Sequence, residues 1–209
     1  MQAMRSIFRL IIVLVVCSTV SLKAQEQDST KFSPHHFNRI QLDPELSLFT
    51  AIGDNFLKDA YDLKTGTGLT ADFYLHKNWY IGTRFLNINT QIVKPENIGD
   101  IKNTKIFTFG VQGAYVYEFT ERLYLDLIAG FGSTGYYHDS KFGTNFRDSA
   151  TSIWGGPKIS YRINNFFGIF LGSEFRRDFM NIEVTEQLDD YFGNANLLSI
   201  RAGLRFITH

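Results

Sequence analysis

Along most of the chain, hydrophobic and polar side chains alternate with a period of two, the spacing that sends successive side chains to opposite faces of a β-strand. The clearest run is 105–119, where Phe107, Phe109, Val111, Gly113, Tyr115, Tyr117 and Phe119 alternate with Thr108, Gly110, Gln112, Ala114, Val116 and Glu118. The same split recurs seven more times. Leu42, Leu46, Leu48 and Ile52 oppose Asp43, Glu45, Ser47 and Phe49, with Pro44 near the strand start, where proline is tolerated. Leu69, Ala71, Phe73 and Leu75 oppose Thr70, Asp72, Tyr74 and His76, and Trp79, Ile81, Thr83 and Phe85 oppose Tyr80, Gly82, Arg84 and Leu86. Further on, Leu123, Leu125, Leu127, Ala129 and Phe131 face away from Tyr124, Asp126, Gly130, Gly132 and Thr134. Ile153, Ile159, Tyr161 and Ile163 face away from Trp154, Lys158, Ser160 and Arg162. The last two runs set Phe167, Ile169, Leu171, Phe175 and Phe179 against Glu174, Arg176 and Asp178, and Leu198, Ile200, Ala202, Leu204 and Phe206 against Ser199, Arg201, Gly203 and Arg205.

Eight strands are therefore expected, and their connections alternate in length. Lys77-Asn78, Thr120-Glu121-Arg122 and Asn164-Asn165 read as tight turns. Between them fall long polar stretches, about Gly53–Thr65, Val93–Thr104, His138–Ser149 and Asn181–Ala195. An even strand number with short turns at one end and long loops at the other describes an outer-membrane barrel. The fold class expected is all-β: an eight-stranded antiparallel up-and-down transmembrane β-barrel over residues 41–209, preceded by a signal peptide.

Charge decides which face meets which solvent. The polar face carries Asp43, Glu45, Asp72, Glu118, Asp126, Glu174 and Asp178 together with Arg84, Lys158, Arg162, Arg176, Arg201 and Arg205. The apolar face is almost free of charge within the central segments, with Arg177 near a loop as the main exception. Lipid outside and charges inside satisfies both faces, and the near-balance of acids and bases lets the interior neutralise itself by pairing. An eight-stranded barrel is only wide enough for side chains to fill. With Phe49, Tyr74, Tyr80, Tyr124, Trp154 and Phe170 also pointing inward, the expected lumen is plugged. Aromatics on the outer face fall into two girdles. Trp79, Tyr117, Phe119, Tyr161, Phe167 and Phe206 lie near the short turns, and Phe107, Tyr137 and Phe179 near the loops.

The N-terminus reads as an address. Arg5 and Arg9 precede an apolar stretch from Ile7 to Val20, and Ser21-Leu22-Lys23-Ala24 leads into Gln25. Residues 1–24 are expected to be a signal peptide and 25–40 a short periplasmic segment. The single cysteine, Cys17, falls in the signal's apolar core and supports neither a disulfide framework nor a thiolate metal site. The whole chain balances 21 basic against 21 acidic residues; losing Arg5, Arg9 and Lys23 leaves 18 basic, a net charge near −3. Nothing in that balance suits nucleic acid.

The chain resembles the small outer-membrane β-barrel proteins of the Bacteroidota, the OmpA-like and PorT-like group. The resemblance spans roughly Gln41 to Thr208. It rests on the eight-strand pattern, on Gly68-Leu69-Thr70-Ala71-Asp72-Phe73-Tyr74-Leu75, on Ile200-Arg201-Ala202-Gly203-Leu204-Arg205-Phe206, and on cleavage between Ala24 and Gln25. It is one of architecture and transfers no functional residue. Such barrels often end on an aromatic residue, whereas here Ile207-Thr208-His209 follows Phe206. No wall-binding domain is expected after the barrel, so a tethering role lacks its module.

Candidate chemistry is sparse. Ser133, His138 and Ser140 lie near one strand end and bring to mind a lipid A-modifying enzyme, but their spacing is that of ordinary loop residues. His35-His36 and the set Asp189, Asp190 and Asn194 lack the donor spacing of a metal site. Asp148-Ser149-Ala150 and, more loosely, Asp28-Ser29-Thr30 are similar to an O-glycan acceptor motif, though a solvated loop explains both. No catalytic, cofactor or metal residue is assigned. The reading is a structural or interaction barrel acting through its loops or wall. Its expected partners are outer-membrane lipids, lipopolysaccharide included, and an envelope protein. The alternative implied by the resemblance is an accessory component of a secretion machine, with a lipid A enzyme and a narrow transporter behind it.

Overall fold

The computed structural model describes residues 40–95, 98, 101–141, 143, 145–182, 188 and 191–208. The segments expected to be signal peptide and periplasmic leader, with Cys17, Asp28-Ser29-Thr30 and His35-His36, lie outside the described residues apart from Ile40. Asp189 and Asp190 do too.

Eight strands form: β1 (Ile40–Ile52), β2 (Tyr61–His76), β3 (Trp79–Ile92), β4 (Ile101–Glu118), β5 (Leu123–Ser140), β6 (Phe146–Arg162), β7 (Phe167–Met180) and β8 (Asn194–Thr208). Each pairs antiparallel with its sequence neighbour, and β1 closes on β8 with Leu48 opposite Ile200. Closure leaves no unpaired strand edge, the condition a sheet must meet to stand in lipid. The three tight turns and both barrel termini gather at one end, and the loops at the other. No helix among the described residues is long and apolar enough to cross a membrane; the strands do the crossing.

The expected faces hold. Leu48, Leu75, Phe131, Leu171 and Ile200 are exposed on the outside, each by 60% or more of its surface. Of the charged residues read as inward, only Glu118 and Arg162 escape burial. A water-soluble barrel would show the reverse. Apolar outside and charged inside is the surface of a membrane barrel.

The loops are shorter than the sequence reading put them. A tilted strand crosses a bilayer in about 9–11 residues, yet these strands run to 18. The surplus stands above the apolar band at the loop end. Tyr61–Thr65 belongs to β2 rather than to a loop, 101–104 to β4, 138–140 to β5 and 146–149 to β6. In this upper part the polarity of the faces inverts. On β3, Asn87, Asn89 and Gln91 turn outward, while Leu86 and Ile88 are buried inside. Leu86, grouped with the polar face in the sequence, is therefore a core residue of a small extramembrane barrel.

That upper core has its own lid. Between β1 and β2, a short helix α1 (Phe56–Ala60) starts at Asn55, whose side-chain oxygen accepts a hydrogen bond from the Lys58 amide at 3.0 Å. Its amide in turn donates to the Ile52 carbonyl at 2.8 Å, pinning the cap to the end of β1. The helix buries Phe56, Leu57 and Ala60 over the barrel mouth. Phe56 stacks on Phe192 at 5.7 Å and meets Tyr61 edge-on at 6.1 Å.

Candidate functional site: a filled lumen

The inward side chains fall into three groups. Toward the short-turn end, Tyr80, Ala114, Val116 and Ile128 form an apolar cluster with Tyr74 and Tyr124 against it, beside the lowest ion pairs, since Val116 is the register partner of Asp126. The second group is ionic. Toward the loops an apolar cluster takes over, built from Phe49, Leu86, Ile88, Ile106, Tyr136, Leu197 and the α1 residues.

The ionic side chains gather in separate knots. In the lower one, Arg205 donates to both oxygens of Asp43 (Nε at 3.0 Å, Nη2 at 2.8 Å) and to Asp126 at 2.6 Å. Lys158 donates to Asp43 at 2.7 Å, lies 3.4 Å from Asp126, and sits 5.0 Å from the Phe170 ring centre. Ser160 gives Asp126 a further hydrogen bond at 3.2 Å. In the next knot, Arg84 bridges Glu174 at 2.5 Å and Glu45 at 2.6 Å. Arg201 approaches the same two carboxylates at 3.1 and 3.4 Å. Nearer the loops, Arg176 grips Asp178 through two bonds of 2.7 Å, and Tyr136 donates to Asp178 at 2.6 Å. A hydroxyl ladder of Thr108, Thr134 and Ser152 runs beside it, with Arg176 donating to Thr134 at 2.8 Å.

Apart from Arg176 and Asp178, which are neighbours on one face of β7, these contacts join strands far apart in sequence, which is why alternation could predict the inward charges but not their partners. Removing one member of such a buried set leaves an uncompensated charge, whereas replacing a whole set by apolar groups can be neutral. The pairs therefore fix one arrangement of the wall more than they add net stability.

Trp154 fills the lumen beside the ionic side chains, with its ring 5.7 Å from the Arg84 guanidinium. It lies flat on Gly130, where an added Cβ would come within 2.5 Å of the indole. Gly110 and Gly132 face each other across β4 and β5, and a side chain on either would strike the opposite backbone at 2.3 Å. The aromatic infill and the inward glycines are thus one feature. Asp72, outside these three sets, accepts from Gln112 at 3.0 Å.

The residues weighed as chemistry separate. Ser133 points outward from β5 and His138 inward, so they lie on opposite faces of one strand. His138 sits 2.8 Å from the Thr104 hydroxyl, 3.2 Å from the Asp148 carboxylate, and stacks on Phe146 at 4.6 Å. Asp148-Ser149-Ala150 lies in β6 rather than in a solvated loop, with Ser149 half-buried opposite Gly135 and Ala150 buried. Among the described residues, no group of three His, Cys, Asp or Glu side chains could hold a metal ion.

The fold has known counterparts. The crystal structure of Neisserial surface protein A superposes on 80% of this chain and 96% of its own, with a TM-score of 0.63 and 11% identity. The fold is that of an eight-stranded outer-membrane barrel. Ail, the attachment invasion locus protein of Yersinia pestis, covers the same shares at 15% identity and a TM-score of 0.46. The N-terminal β-barrel domain of Pseudomonas aeruginosa OprF does so at 10% and 0.43. No family model matches the chain, and no curated protein matches it in sequence. With its apolar wall outward and its backbone closed, the chain is a bacterial outer-membrane β-barrel.

Proposed function

We propose that the protein is a closed, non-conducting outer-membrane barrel that acts as a structural or interaction protein through its loop-end surface and its wall. The observation that carries this reading is the filling of the lumen: buried ion pairs packed beside an apolar cluster at the short-turn end and below an apolar cap at the loop end. An ion would have to displace these buried pairs and pass the apolar cap, at several kcal/mol for each charge left unpaired. The strands that rise above the apolar band, packed around their own core, give the loops a firm base for binding.

Lipopolysaccharide is the proposed lipid partner at the loop end. Arg147 and Arg177 lie on the outer wall there, each laid over an aromatic ring, Tyr137 at 4.9 Å and Phe179 at 5.0 Å. Lys105 stands beside Tyr137 on the neighbouring strand. Cations at that level suit the phosphates of an outer leaflet. Residues 1–24 serve, in this reading, as the export signal and 25–40 as a periplasmic leader.

The purified barrel in planar bilayers is expected to give no steady ion current. A stable current in most insertions would sink the reading. Gentle extraction from the native membrane then refines it: a stoichiometric envelope protein would make the barrel a component of a larger machine such as a secretion apparatus.

A further inference from the structure

The lipid-facing wall is not evenly covered. Between Trp79 and Ile81 on β3 and Phe131 on β5 lies a depression of about 300 Å³, floored by Gly113 and Ala129. Register explains its shape. Ile81, Gly113, Ala129 and Gly155 lie side by side on β3, β4, β5 and β6, so three adjacent strands are small at one level. The rows on either side are large: Val111, Phe131 and Ile153 above, Tyr115, Leu127 and Pro157 below.

Gly113 is the informative residue. Most inward glycines here are forced, since a Cβ would strike backbone or the Trp154 ring. At Gly113 an added Cβ would meet nothing nearer than the Tyr80 carbonyl at 3.9 Å, an ordinary contact, and its backbone is not left-handed. Glycine weakens a strand interior, and neither packing nor backbone conformation asks for it at this position. What its bareness does is open the wall.

We infer that this groove holds one acyl chain of an anionic phospholipid of the periplasmic leaflet. It sits in the apolar band, where hydrocarbon is the solvent, and at the short-turn end, which faces the periplasm in such barrels. From the level of Trp79 to that of Thr83, opposite Val111, it runs about 13 Å at roughly 3.3 Å per residue. At its periplasmic edge the turn after β2 carries Lys77, two residues from Trp79. An ammonium and an indole N–H at the interface supply the charge and the donor that a phosphate headgroup takes. This inference names a ligand for the wall in the proposed function, but it does not require a closed lumen, so a current in planar bilayers would leave it standing.

Native mass spectrometry of the barrel extracted in mild detergent tests it. The wild type is expected to retain one phospholipid, drawn preferentially from the anionic class. Gly113→Leu fills the groove and should lower the lipid-bound fraction by about tenfold or more, equivalent to at least about 1.4 kcal/mol of binding. Ala129→Leu, filling it from the next strand, should do the same, and urea titration shows that each variant is folded. Lys77→Gln should keep the lipid but lose the anionic preference. Equal lipid retention by the wild type and both leucine variants overturns the proposal. So does a wild-type dimer or bound polypeptide that Gly113→Leu abolishes, since the groove would then be a protein interface. An unchanged lipid class in Lys77→Gln would overturn the headgroup assignment.

Discussion

Replacing Arg205 with methionine is expected to cost about 3–5 kcal/mol of folding stability, read as a lower midpoint in urea for the barrel in lipid vesicles. Arg205 is the cation shared by Asp43 and Asp126, and all three are buried in the lumen. Without it only Lys158 remains between two carboxylates. Adding Asp126→Asn to the same chain should recover part of the loss, because the uncompensated acid is gone. Lys64→Met offers the contrast. Its partner Asp62 is as exposed as it is, on the part of β2 above the membrane, and a surface pair is worth about 0–1 kcal/mol. Equal losses for Arg205→Met and Lys64→Met would mean that the lumen is open to water.

The second large effect belongs to the other face. Ile200 lies on the outer wall of β8, midway between Phe206 near the turns and Asn194, the register partner of Phe179 near the loops. An arginine at the bilayer midplane costs about 2–4 kcal/mol, against about 0–1 near the interface. Ile200→Arg should therefore lose about 2–4 kcal/mol in the same urea titration, and Phe179→Arg much less. The native Arg177 marks that permissive level.

Both effects rest on the face assignment, which period-two alternation made legible before any coordinates. Lys105–Phe119 could be divided residue by residue because its outward side from Phe107 on is aromatic apart from Val111 and Gly113, and its inward side is mostly small or polar. Alternation failed at the loop end for a physical reason. Above the lipid, water replaces hydrocarbon outside, so the outward side chains become polar, as with Asn87, Asn89 and Gln91, while Leu86, Ile88 and Ile106 fill the inside. The alternation continues with its polarity reversed, and across the reversal the pattern reads as irregular and polar. For that reason Tyr61–Thr65 and 138–149 look like loops. α1 was hidden too: a five-residue helix carries no periodic signal, and only the Asn55 cap ahead of Phe56 and Leu57 hints at it.

The lumen was half legible. That its charges balance followed from counting; that Arg84 joins Glu45 to Glu174 and Arg205 joins Asp43 to Asp126 did not, since these partners lie 39 to 162 residues apart. The wall groove gave no sequence signal at all. Gly113 sits in the clearest strand of the chain and reads as one apolar-face residue among others. Its meaning appears only when Ile81, Ala129 and Gly155 are brought beside it.

The most direct test is a cysteine scan of β4, in a chain whose single cysteine, Cys17, is replaced. Spin labels at Phe109, Val111 and Tyr115 should collide freely with oxygen and hardly with a nickel chelate, as sites in hydrocarbon do. Cysteines at Thr108, Gln112, Ala114 and Val116 should resist a water-soluble thiol reagent until the barrel is unfolded. Nickel access along the first series would turn the barrel inside out, and rapid labelling along the second would open the lumen that the account holds closed.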